Sequence, residues 1–135
     1  MNDKAFFYDI VKFEVQTIAQ RNNILLVFQS MLFAATALVA TADNPVFIPV
    51  WVLMSVGLIL SLIWIYLNWL THVIEASAMK KLEEIDERVR YLLEARKTNW
   101  LLAKGSVSAL VAFAIPSVMI ICWLVLIGHY VAKYS

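Results

Sequence analysis

Directly after Gln20-Arg21-Asn22-Asn23 the chain enters an apolar run, Ile24 to Ala42, of about twenty residues, the length that crosses a bilayer as a helix. Between Met1 and Asp43 there is neither Gly nor Pro, so the helix is expected to pass unbroken from water into lipid at that polar boundary. Two more apolar stretches of spanning length follow, Val50 to Leu70 and Val107 to Ile127. Hydrophobic residues make up 62% of the 135, against roughly 45–50% in a soluble domain. These features predict an all-α membrane protein: three transmembrane helices, with helices one and two extending into the cytoplasm as an antiparallel helical hairpin.

The expected single membrane domain, 1–135, divides as follows. An amphipathic cytoplasmic helix (3–22) carries Phe6, Phe7, Ile10, Val11, Phe13 and Ile18 at helical spacing on one side, with Asp9, Lys12, Gln16 and Gln20 opposite. The first span (23–42) ends at Asp43-Asn44-Pro45, and a short outer loop (43–48) leads to Pro49, which suits the start of a helix. The second span (49–71) has no stop signal at its inner end. His72 to Lys97 lacks Gly and Pro, and Leu82, Ile85, Val89 and Leu92 recur at a/d spacing, so 72–97 is read as a cytoplasmic continuation of the same helix. Such a helix from Pro49 would be roughly 70 Å long; the alternative is a bend near Glu75. A linker (98–105) follows, with Asn99 and Gly105 suited to a helix C-cap and Ser106 to an N-cap. The third span (106–130) has Pro116 in its middle. A kink is expected there, with the carbonyl that the proline leaves unbonded met by a serine or a neighbouring helix.

Ten of the eleven Lys and Arg residues lie in the N-terminal segment and the long linker. By the positive-inside rule these parts are cytoplasmic, and the Asp43 loop and the C-terminus lie outside. Trp51, Trp69, Trp100, Tyr130 and Tyr134 fall near the expected interfaces, as aromatic belts do. Acids interrupt the first twenty residues and no small-residue cleavage site follows, so no signal peptide is expected. The net charge of +1, without a basic face, argues against nucleic acid as a partner.

Glu14, Arg21, His72 and Glu75 are the ionisable residues of interest. Counting inward from the short loop brings Arg21 and Glu75 to similar depth, where an unpaired charge is costly, so the four are read as one interfacial polar cluster. A register-fixing pair of Arg21 with Glu75 or Glu14, a proton- or ion-handling role and simple snorkelling into solvent all fit. Gln29 and Asn68 are intramembrane polar residues; Gln29 suits an interhelical hydrogen bond or the wall of a pore. Cys122, the single cysteine, is expected to pack against lipid or a helix, and His129 to sit at an interface. No pattern for catalysis, a metal or another cofactor is present: there is no Cys pair, no His-x-x-x-His and no Gly-rich phosphate loop.

The order Glu14, Arg21-Asn22-Asn23, Leu25-Leu26, Gln29, Ala34-Ala35, then a second span with Trp51, Trp64 and Trp69, resembles that of small bacterial inner-membrane proteins. The resemblance covers about the first half of the chain. It implies the bacterial inner membrane and supplies no activity.

Three spans make a thin bundle, and the stripe Leu82, Ile85, Val89 and Leu92 asks for cover in water, so a homo-oligomer is expected. Two readings follow. The assembly encloses an ion-conducting or membrane-permeabilising pore, or it is a non-conducting anchor whose cytoplasmic helices bind a partner protein. Membrane lipid is the remaining partner, and an enzyme is not expected.

Overall fold

The computed structural model describes residues 3–42, 48–98 and 107–134. Over those residues it is all helical: α1 (Asp3–Ala40), α2 (Val50–Ile85), α3 (Glu87–Lys97) and α4 (Val107–Tyr134). Three helices are long and apolar enough to cross a membrane: α1, α2 and the Ala109–Lys133 part of α4. At 38 and 36 residues, α1 and α2 measure about 57 and 54 Å, well beyond a hydrocarbon core of about 30 Å. Both therefore project past the lipid, and the polar residues Gln20 to Asn23 lie inside an unbroken α1.

The register is antiparallel and can be read from the side-chain bonds. Asn22 on α1 meets Trp64 and Asn68 on α2, whereas Gln29, further along α1, meets Ser61 and Gly57, further back along α2. α4 in turn runs antiparallel to α2, with Ala112 beside Asn68 and Trp123 beside Gly57. α2 packs along both partners, which touch each other little. Pro49 starts α2 from an extended conformation, its carbonyl accepting from the Val52 N–H at 3.0 Å.

The helix expected from 72 to 97 is not continuous. It ends at Ile85, and Asp86 takes an extended conformation (φ −118°, ψ 112°) before α3 begins. No Gly or Pro is needed for this. The Asp86 carboxylate accepts the Arg88 N–H at 3.0 Å, an N-cap bond of the kind by which Asp competes with helix continuation. The Lys97 ammonium then lies 3.3 Å from Glu83, 14 residues back, a separation of about 21 Å along a straight helix. α3 thus folds back along α2. The break also divides the expected Leu82–Leu92 stripe: Leu82 and Val89 are buried, but Ile85 is 38% and Leu92 67% exposed.

Burial follows a seven-residue beat. On α1 it falls at Asn22, Gln29 and Thr36; on α2 at Met54, Ser61, Asn68 and Leu82, and at Gly57, Trp64, Thr71 and Ala78. This is the a/d pattern of helices packed in a left-handed sense, here filled largely by polar and small residues. The expected stop at Asp43-Asn44-Pro45, the linker caps Asn99, Gly105 and Ser106, and Trp100 lie outside the described residues.

Candidate functional site

Two clusters of polar side chains hold the three spans together. In the first, the Gln29 amide donates to the Gly57 carbonyl at 3.2 Å and to the Ser61 hydroxyl at 2.9 Å, while its oxygen accepts the Trp123 indole N–H at 2.7 Å. One side chain on α1 so ties α2 and α4. Ser61 can accept because its own proton goes to the Gly57 carbonyl. Trp123 is fully buried and stacks on Phe33 with ring centroids 4.1 Å apart and planes 4° from parallel. A Cβ at Gly57 would run into the Trp123 ring, so the indole fits only because that residue is glycine.

The second cluster lies seven residues down α1. The Asn22 oxygen accepts from the Trp64 indole at 2.7 Å and from the Asn68 amide at 3.0 Å. The other Asn68 N–H goes to the Ala112 carbonyl at 2.7 Å. That carbonyl lies four residues before Pro116, which has no N–H to bond it. Asn68 thereby supplies the donor that Pro116 lacks, and α4 continues through the proline as one helix. The Asn22 amide nitrogen is itself buried with no hydrogen-bond partner among the described residues.

The four ionisable residues are distributed differently from the expectation. The Arg21 guanidinium donates to neutral acceptors, Thr71 at 3.0 Å and Asn68 at 3.3 Å, so it is joined to the second cluster through α2 rather than hydrogen-bonded to Glu75 or Glu14. His72 Nδ1 lies 3.8 Å from Glu75, a separation that makes an ion pair only when the imidazole is protonated and is too long for a hydrogen bond. The His72 ring also meets Phe113 of α4 edge to face. Glu14 is half-buried on α1. A third junction, which no sequence signal singled out, is Asp86: besides capping α3 it lies 3.8 Å from the Lys4 ammonium and 3.5 Å from the Tyr8 hydroxyl of α1.

The outward side of α1 carries two unlike strips. One is bulky and apolar: Ile24, Phe28, Met31 and Leu38, each more than half exposed. The other is Gln16, Gln20, Asn23, Val27, Ser30, Ala34, Ala37 and Thr41, alternating in steps of four and three so that all share one line, and all exposed. Ser30 and Thr41 return their hydroxyl protons to Leu26 and Ala37 carbonyls, so the strip tolerates lipid while remaining wettable. The outward faces of α2 and α4 are bulkier, with Ile59, Leu62, Tyr66, Val118, Ile121 and Val125. Cys122 is exposed on α4. Among the described residues no group of His, Cys, Asp and Glu is arranged to hold a metal ion.

Sequence reasoning passed over Gly57, Ser61, Thr71 and Trp123 as site residues, and it named Asn22 and Trp64 only in the boundary and the resemblance. The signal was present as the seven-residue recurrence of Asn22, Gln29 and Thr36, matched by Ser61 and Asn68. Comparison with curated proteins and with solved structures gives no match. The model of the octameric membrane protein family (8xMP) matches residues 5–132, which takes in all three spans and both polar clusters. With a polar inner seam, apolar outer faces and that match over nearly its whole length, the chain belongs to the octameric membrane protein family, whose members are assemblies within a membrane.

Proposed function

We propose that eight copies form a ring in the membrane whose lumen is lined by the α1 strip running from Gln16 to Thr41, making a permeabilising pore. The observation that carries this reading is that strip. It is a line of polar and small residues, interrupted by Val27, on the outer surface of the described spans, and it lies beside a bulky strip suited to lipid or a neighbouring copy. Eight helices side by side at 8–10 Å put their axes roughly 10–13 Å from the centre; subtracting a helix radius of about 5 Å leaves a lumen roughly 10–16 Å across. Hydrated ions and small solutes pass an opening of that width without a filter. Outside the lipid, Ile85, Leu92 and the 72%-exposed Tyr91 are the contacts offered to the next copy. The Lys and Arg distribution puts the N-terminus and α3 in the cytoplasm and the C-terminus outside, and the resemblance of the first half points to a bacterial inner membrane.

The test uses purified protein in liposomes loaded with a small dye. Release above that of lipid-only vesicles is expected. In a Cys122→Ser background, a membrane-impermeant thiol reagent should block release through Ser30→Cys and leave Phe28→Cys unaffected. Labelling at Phe28→Cys with none at Ser30→Cys would sink the assignment of the lumen. A second reading, a non-conducting anchor, is favoured by the outward Tyr91 and Leu92 beside Arg88 and Arg90 on α3, which suit a partner protein equally well. Correctly assembled protein that passes no dye selects it.

A further inference from the structure

Beyond the Phe33–Trp123 stack, toward the α1–α2 connection, the bundle forms a half-open cavity of about 540 Å³. Its origin is in the sequence: the last turns of α1 offer Ala37 and Ala40 where larger side chains would close the space against Met54 of α2 and Leu126 of α4. The Thr36 hydroxyl is bonded to the Leu32 carbonyl, so this wall also presents carbon. Left unfilled, the apolar part of this lining forfeits its dispersion contacts. On α4 the wall changes character: His129 and Lys133, one helical turn apart, stand with Tyr130 at the membrane-interface end. The arrangement is that of an amphiphile site, apolar in depth and cationic at one end, and its volume lies in the range of roughly 300–1,000 Å³ typical of ligand pockets.

We infer that this cavity binds an acyl chain of a bilayer phospholipid, with the lipid phosphate at His129 and Lys133. Three points favour a lipid over a segment of a neighbouring copy. The cavity lies within the membrane-spanning part of the bundle, where acyl chains are the solvent, and shares only Ala37 with the α1 strip. Its lining is drawn from three helices, α1, α2 and α4, which suits a flexible chain entering between them rather than a flat helix face. Its charged end stands at the level of headgroups, with a Tyr alongside, as interfacial Tyr residues do. Lipid occupancy does not depend on whether the assembled ring conducts.

Native mass measurement of the assembly, purified in a non-ionic detergent and supplied with phosphatidylglycerol or phosphatidylcholine, tests the inference. Wild-type protein is expected to retain phospholipid, with phosphatidylglycerol held through more detergent exchange than phosphatidylcholine. Ala40→Phe, which fills the cavity, should lose the retained lipid, while Ala114→Phe on the exposed side of α4 should keep it. Should the filled variant fail to assemble, Lys133→Gln provides the second measurement, with loss of the preference for phosphatidylglycerol and no loss of assembly. Equal retention by wild type and Ala40→Phe overturns the inference, as does a Lys133→Gln protein with the wild-type lipid preference. Loss of the octamer on filling the cavity, with no lipid retained by wild type, would assign the cavity to a neighbouring copy instead.

Discussion

Between Asn22 and Thr36 the helices bury Asn22, Gln29, Ser61 and Asn68 and turn Ile24, Phe28 and Leu62 outward; beyond Thr71 they bury Ala78, Leu82 and Val89 and turn Lys81, Glu84 and Arg90 outward. The buried seam of α1 and α2 is thus rich in polar side chains along the spans and apolar beyond them. In lipid, apolar contact favours no particular neighbour, because acyl chains offer the same, and association is decided by hydrogen bonds and by close approach at small residues. In water, burying Leu82 and Val89 is itself the driving force. The polar seam also selects register, since a one-residue slip of α1 would separate Gln29 from Ser61 and Trp123 together.

The largest effect separating the two regimes is expected from Trp123→Ala. It opens a void under Phe33 and leaves the Gln29 oxygen without its donor, so thermal unfolding in mild detergent should show a loss of about 3–5 kcal/mol. A near-neutral result would mean that the seam does not hold α4. Gly57→Ala tests the same contact from the other side. The added methyl meets the indole, a rigid buried ring, and a cost of about 1–3 kcal/mol is expected.

Asn68→Leu sharpens the comparison, because it strips the Ala112 carbonyl of its donor only while residue 116 is proline. In a Pro116→Ala background the helix supplies its own N–H at that turn. The cost of Asn68→Leu should then shrink, giving a coupling of about 0.5–1.5 kcal/mol in a double-mutant cycle. Additive costs would show that Asn68 acts on Asn22 and Arg21 alone. The smallest effect belongs to the water-exposed end. Lys4→Ala removes an exposed partner of Asp86 and should change stability by about 0.2–1 kcal/mol, less in high salt, as followed by thermal unfolding at two salt concentrations. A larger loss would make the Asp86 elbow a rigid part of the fold.

Much of this was legible along the chain. Apolar length determined the three spans and Pro49 the start of α2, while the family match covers residues 5–132, well beyond the first-half motif on which the resemblance rested. Gln29 was recognisable as suited to an interhelical hydrogen bond or the wall of a pore, since an amide at that depth must find a partner on a helix or in water, and it bonds α2 and α4. Arg21 was expected to pair with Glu75 or Glu14 and donates instead to Thr71 and Asn68, because counting residues fixes height along a helix but not the rotation that decides which side chains meet. Asp86 was hidden for a similar reason: whether an Asp caps a new helix or continues the old one depends on what holds its carboxylate, here Arg88 locally and Lys4 and Tyr8 from more than seventy residues away. Sequence by itself determined what each segment is dissolved in, since that depends on summed hydrophobicity over twenty residues. Tertiary structure alone decided how the segments are tied, since the Trp123–Gln29–Ser61 and Pro116–Ala112–Asn68 links are directional bonds between single atoms on different helices, which periodicity along one helix does not encode.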